Sequence, residues 1–409
     1  MRAYERLMRY VRIHTASSEE GPYRVPSTAR QFDLAHLLVQ ELKELGVEDA
    51  CVSEHCYVYA SLPATEGYEK APKLGFIAHM DTVPDFPGEN VQPTLVENYA
   101  GGDIPLGTSG RVLSPKAFPS LKRMVGRTLI TTDGTTVLGA DDKAGIAEIM
   151  TMIEILQSQK RPHGALAFAF TPDEEIGQGT DCFDVRGFGC DYAYTLDGGE
   201  EGEIEFENFN AASAAVELNG FNVHPGSAKD TMINAMLTAM EFNAMLPAAE
   251  VPAHTEGYEG FFHLVAMTGS VEKAELKYII RDHDLNHLSV RKQTMELIEK
   301  ALNEKYGEGT CKLIWRDGYR NMSEKIREHF HLIENAQKAC ELAGVKPRIN
   351  PIRGGTDGAN LSFMGLPCPN LGVGGFGYHG PYEHISVEGM DKALEIALNL
   401  VDLYKDFEK

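Results

Sequence analysis

Two kinds of hydrophobic pattern divide this chain. Up to about residue 207, and again after 320, short runs of consecutive apolar residues alternate with stretches of helical period. "LGFIA" (74–78), "ALAFAF" (165–170) and "YAYTL" (192–196) are nearly unbroken and bounded by turn residues, the pattern of strands buried on both faces. After "VLGADDKAG" the apolar positions Ile146, Ile149, Met150 and Ile153 recur at helical spacing. Residues 27–45 predict a helix and 50–62 a strand. The Gly- and Pro-rich section 84–128 predicts loops and a hairpin. Helix between strands predicts an α/β part built on a mixed, mostly parallel sheet flanked by helices.

Near residue 208 the pattern changes. "AASAAVELNG" alternates as a strand does, and "DTMINAMLTAMEFNAML" reads as a Met- and Ala-rich helix. "HLVAMTG" and "AELKYIIRD" read as a strand pair, "LSVRKQTMELIEKALNEKYG" as a helix and "CKLIWRD" as a closing strand. This β-α-β-β-α-β order is that of a ferredoxin-like α+β module. The α/β style then returns and ends in the helix "EGMDKALEIALNLVDLYKDF". A chain of 409 residues exceeds one compact core. The expected organisation is therefore a larger domain, 1–207 and 320–409, with a smaller one, 208–319, inserted.

Charge narrows the function classes. The net charge is −22, from 38 basic and 60 acidic side chains, which argues against sequence-independent binding to nucleic acid or to anionic membranes. The start, "MRAYERLMRYVRIHTASSEE", reads as an amphipathic helix and not as a signal peptide. No apolar run approaches membrane-spanning length. Seven cysteines, at irregular spacing and without a C-x-x-C, are expected to be free thiols in a reducing compartment, so the expected location is cytoplasmic.

The acids gain meaning once they are placed on this map. "LGFIA" runs into His79-Met80-Asp81, "VLGA" into Asp141-Asp142, "ALAFAFTP" into Asp173-Glu174-Glu175 and "YAYTL" into Asp197. In open α/β sheets, ligands bind outside the carboxyl ends of the strands. His379 lies in "GYHGPYEH", after another Gly-bounded strand. A lone strand-end Asp usually caps a helix or faces water, and a lone His is usually structural. One edge carrying so many carboxylates, however, repels itself unless cations sit there. His with carboxylate, without Cys, suits zinc, manganese or cobalt. The inventory suffices for two metals sharing one carboxylate, with a hydroxide between them as nucleophile. Gly372–Gly377 satisfies G-x-G-x-x-G but runs into "YHGPYEH" and not into a helix, which argues against a dinucleotide site. "RDHDLNH" (281–287) reads as a strand end leading into a helix cap, and the Met-rich stretch 232–245 as packing.

The H-x-D, G-A-D-D-K-A-G, E-E and H-x-x-x-E blocks, in order and spacing along the whole chain, resemble the M20 family of dizinc metallopeptidases. "SEEGPYRVPSTARQFDLA", "FNVHPGSAKDTMINA", "YIIRDHD" and "IRGGTDGANLSFMGLPCPNL" are similar to its tripeptide-cleaving aminopeptidases. The resemblance implies a zinc-peptidase-like catalytic domain (1–207 and 320–409) and an inserted lid and dimerisation domain (208–319). Asp141 would bridge two zinc ions, for which manganese or cobalt could substitute. His79 and Asp197 would complete one site, and Glu175 and His379 the other. Glu174 would be the general base, and Asp81 would orient the His79 ring. The Asp141–Asp142 peptide would be cis. His379 with Glu383 fits H-x-x-x-E, which leaves His384 to the second tier or the surface. Asp173 falls to solvent or a turn. His224 of the lid would help bind the scissile carbonyl oxygen, supported by Asn234. Arg353, in a Gly-rich loop, would meet a peptide carboxylate bidentately. Arg281 is a second candidate for that role, with a surface salt bridge as its alternative. The implied activity is removal of the N-terminal residue from short peptides, preferably tripeptides. The alternative is an N-acyl amino acid deacylase, desuccinylase or carboxypeptidase of the same family. Implied partners are short peptides and a second copy through the lid, with no nucleic acid and no membrane.

Overall fold

Leu74–His79 and Leu166–Thr171, the two longest apolar runs, are strands buried at every position. Burial on both faces removes any need for alternation. In the computed structural model, which describes residues 1–407, they lie at the centre of an eight-stranded sheet. Its order is Cys51–Val52, Val58–Leu62, Leu166–Thr171, Leu74–His79, Tyr192–Gly198, Asn370–Gly372, Glu203–Glu205, Arg348–Ile349. The central four run parallel to their neighbours. Val58–Leu62 and Glu203–Glu205 join them antiparallel on either side. Phe76 packs between Phe168 and Tyr194, with ring centroids 6.4 Å apart in both pairs.

This sheet belongs to the first of two units, which comprises Met1–Phe206, Met322–Asn350 and Thr356–Lys409. Within it the chain steps from Leu74–His79 to Leu166–Thr171 on one side, then crosses to Tyr192–Gly198 on the other. That reversal places a crevice at the carboxyl ends of the three strands. The helix Ala140–Gln159 packs on Leu74–His79 and Tyr192–Gly198. At Gly145 it comes so close that an added Cβ would lie 2.0 Å from the Leu196 carbonyl oxygen, so only glycine fits. A second sheet, in the order Gly375–Phe376, His384–Ser386, Leu129–Thr131, Thr94–Val96, carries between its first two strands the loop with His379 and Glu383. In the Gly- and Pro-rich section, Ile104–Leu106 and Arg111–Leu113 pair as a hairpin.

The second unit comprises Glu207–Asn321 and Pro351–Gly355. Its antiparallel sheet has the order Phe261–Gly269, Lys273–Asp282, Asn210–Asn219, Cys311–Asp317, with helices Ala235–Met245 and Leu285–Tyr306: a ferredoxin-like module. Burial alternates along Lys273–Asp282 because the helices cover one face only. Ala239 and Phe242 from one helix and Met295, Ile298 and Leu302 from the other share a core with Val216, Leu276, Tyr278 and Ile280. Asp284 caps the second helix, accepting from the amides of Asn286 and His287, so "RDHDLNH" does join a strand end to a helix start. All seven cysteines are free thiols. Among the described residues no helix is long and apolar enough to cross a membrane.

Candidate metal centre

Five side chains converge at the carboxyl ends of the central strands of the first unit. Asp141 Oδ1 lies 2.8 Å from His79 Nε2, and Asp197 Oδ1 lies 3.4 Å from the same nitrogen. The other Asp141 oxygen, Oδ2, lies 3.2 Å from His379 Nε2, which is 3.0 Å from Glu175 Oε2. Two groups result, His79–Asp141–Asp197 and Asp141–Glu175–His379, the ligand atoms of each lying within 4.8 Å of one another. The two oxygens of one carboxylate thus face different groups, as a bridging ligand requires.

The electrostatics fit a cationic occupant. Burial raises the pKa of Glu175 and Asp197, and repulsion from Asp141 raises both further. Burial alone would lower that of His79, but attraction to Asp197 and bonds to Asp141, Asp197 and Asp81 outweigh it and raise it. Hydrogen bonds to Asp141 and Glu175 raise that of His379. Cations are what this cluster favours, and a His-carboxylate donor set suits zinc, manganese or cobalt.

The surrounding residues explain how the ligands are presented. Gly139 has φ +78°, and the peptide between Asp141 and Asp142 is cis. Glu383 accepts from the amides of Leu138 (2.6 Å), Gly139 (2.8 Å) and Asp141 (3.0 Å), so one carboxylate holds the whole approach to Asp141. Burial pushes the Glu383 carboxyl up to about 7. Asp142 accepts from the amides of His79 and Gly145 at 3.1 and 3.2 Å, tying the strand to the helix. His79 Nδ1 lies 3.1 Å from the Asp81 carbonyl oxygen and 3.4 Å from its Oδ1. The Asp81 carboxylate accepts from the amides of Glu174 (3.0 Å) and Glu175 (3.3 Å). Glu174 is half-buried and belongs to neither ligand group. Burial, then repulsion from Asp197, holds its carboxyl well above the usual range.

Two expectations that left alternatives open now narrow. Asp173 is not in solvent: it is fully buried, at φ +55°, beneath three donors from Ser27 and Gln31. His384 is not at the surface: it is fully buried, with Nδ1 2.8 Å from the Tyr382 carbonyl and its ring stacked on Phe376. Sequence reasoning also assigned no role to Asp142 or Asp357. Asp357 is buried and accepts from Thr171 Oγ1 at 2.8 Å. The doublet "DD" and the motif "GGTDGAN" held both residues, but nothing in either motif says what they would bond.

The remaining candidates belong to the second unit. His224 is exposed, and its Nδ1 accepts from the Gly226 amide. Asn234 caps the helix Ala235–Met245 through Oδ1, which accepts from Met236 N at 3.0 Å. Arg281 donates to Tyr319 Oη and to the carbonyls of Ala212 and Ile280. Arg353 donates to the carbonyls of Gly257 and Glu259 and to Thr255 Oγ1, at 2.8 to 2.9 Å.

Comparison with known proteins agrees with this picture. Residues 206–310 match the family model of the peptidase dimerisation domain of the M20 peptidases. A peptidase T of Halothermothrix orenii is 56% identical over 402 residues, 98% of each chain. A peptidase T of Clostridium perfringens is 54% identical over 406 residues, 99% of each chain. In fold, the chain resembles the crystal structure of aminopeptidase PepT from Bacillus cereus, with a TM-score of 0.78 at 23% identity, covering 98% of this chain and 97% of that one. At such identity over its whole length, the chain belongs to the peptidase T family of M20 peptidases and is a hydrolase.

Proposed function

We propose that the chain is a two-metal aminopeptidase that removes the N-terminal residue from short peptides, tripeptides above all. The observation that carries this reading is the divergence of the two Asp141 oxygens toward two His-carboxylate groups. His79, Asp141 and Asp197 would hold one divalent ion, and Asp141, Glu175 and His379 the other; zinc suits both, with manganese or cobalt as substitutes. Such a pair, when bound, polarises the scissile carbonyl and makes a water acidic enough to attack at neutral pH. Glu174 takes the proton at its carboxylate and returns it to the leaving amine. Asp81 serves both sides, since it faces the His79 ring and binds the amides of Glu174 and Glu175.

For substrate, His224 would support the carbonyl oxygen, with Asn234 acting only as the cap of the helix Ala235–Met245, and Arg353 or Arg281 would meet the carboxylate of a short peptide. Because Arg353 already donates to three acceptors of its own unit, meeting a carboxylate would exchange bonds rather than add them. The family match over 206–310 supports self-association through this unit, and a net charge of −22 supports neither nucleic acid nor membrane as a partner.

The reading is tested with Ala-Ala-Ala and its N-acetyl derivative. Protein loaded with zinc should hydrolyse the free peptide and leave the acetylated one. Chelation should abolish the activity, and zinc should restore it. Preference for the acetylated peptide would assign the chain to the deacylases instead.

A further inference from the structure

The most tightly held acid near the centre is one that binds no metal in this account. Asp173 is 0% exposed, and its carboxylate takes three short bonds from a single segment far away in sequence. Oδ2 accepts from Ser27 N at 2.6 Å, and Oδ1 from Ser27 Oγ at 2.5 Å and Gln31 Nε2 at 2.6 Å. Gln31 completes a two-point grip, since its Oε1 accepts the Asp173 amide at 3.2 Å. Thr28 Oγ1 anchors the same segment to the Ala16 carbonyl, and Ser18 N donates to Ser27 Oγ.

The grip holds an unusual backbone. Asp173 sits in the left-handed region at φ +55°, where a non-glycine residue needs support. On its far side four amides are taken. Glu174 N and Glu175 N donate to Asp81, Gly177 N to the Glu174 carbonyl and Gln178 N to the Asp173 carbonyl. The turn is thus held from one side by Ser27 and Gln31 and from the other by Asp81, which also faces His79. Two adjacent glutamates leave it with different fates: Glu175 joins a ligand group and Glu174 does not.

We propose that Asp173, gripped by Ser27 and Gln31, is a positioning residue that fixes the turn from which Glu174 and Glu175 diverge. The segment from Ser17 to Gln31 thereby sets the geometry between the proton-transferring carboxylate and the metal-binding one. This rests on the reading of Glu174 as base and Glu175 as ligand. A carboxylate is needed at 173 because all three groups facing it there are donors. A buried amide in its place would turn an N–H toward a donor and leave one of them unpaired.

The test is Asp173→Asn, since asparagine tolerates positive φ and the change is nearly isosteric. With Ala-Ala-Ala, kcat should fall about 10- to 100-fold and zinc affinity, measured by chelator competition, should weaken by a similar factor. KM should stay within about threefold, because the peptide is not what Asp173 touches. A purely structural role would lower the unfolding midpoint and leave kcat and zinc affinity unchanged in the folded protein, and that result overturns the proposal. Glu174→Ala is assayed beside it. If Glu174→Ala stays active, the underlying reading fails. If it is inactive while Asp173→Asn matches wild type in kcat and zinc affinity, the positioning proposal alone fails. Should Asp173→Asn not fold, Gln31→Met decides, since it removes both points of the glutamine grip. A kcat loss of about fivefold or more at unchanged KM supports the proposal, and wild-type kcat with wild-type zinc affinity overturns it.

Discussion

The carboxyl edge of the eight-stranded sheet and the ferredoxin-like unit use polar residues in opposite ways. At the sheet edge, residues far apart in sequence are drawn to one point: His79, Asp141, Glu175, Asp197 and His379 approach within hydrogen-bonding distances, and Asp81, Asp142 and Glu383 bind the backbone that carries them. In the second unit, Asn234, Arg281 and Arg353 are engaged with their own surroundings, as a helix cap, a bond to a tyrosine and a clasp on a loop. The first pattern accumulates carboxylates whose charge a bound cation would balance. The second satisfies its own donors and acceptors without one. Convergence of like charges, and not the mere presence of polar side chains, is what marks a site.

Mutations should separate the two regions by size and by kind. Glu174→Ala should give the largest loss short of removing metal, about 10²- to 10⁴-fold in kcat with metal content unchanged, read from steady-state kinetics beside elemental analysis. Loss of metal in that variant would move Glu174 among the ligands. Glu383→Ala should come next. It frees three amides around Asp141 and should weaken zinc binding or kcat by about 10- to 100-fold. Asn234→Ala should be smallest in activity and visible in stability. Losing an N-cap costs about 1 kcal/mol, seen as earlier denaturant unfolding of the second unit, while kcat/KM changes less than about twofold. A large fall in kcat/KM with unchanged stability would instead place Asn234 on the substrate path and erase the contrast.

The strands of the first unit were legible because burial on both faces demands unbroken apolar runs, as at 74–78 and 165–170. The ferredoxin-like order was legible because one-sided burial leaves an alternating trace, as along Lys273–Asp282. Assignment of Pro351–Gly355 to the second unit was not, since it depends on contacts with residues such as Thr255 and Gly257 that no local period encodes. In the site, strand ends pointed to a His and several carboxylates, and the family resemblance sorted them into two groups. Apart from Asp81 beside His79, what the sequence did not reveal were the residues that hold the ligands. Ser27 is 146 residues from Asp173, and Leu138 is 245 from Glu383. Hydrogen bonds over such spans arise only when the chain is folded, which is why the sequence left Asp173 between solvent and a turn and did not show it as a buried acceptor.

The central claim is that Asp141 serves two ions at once. Zinc titration of metal-free wild type and Asp141→Ala, followed calorimetrically, tests it directly. Wild type should take up two ions per chain, and the single substitution should abolish tight binding at both sites. An Asp141→Ala protein that is folded and still binds one ion with wild-type affinity would contradict it.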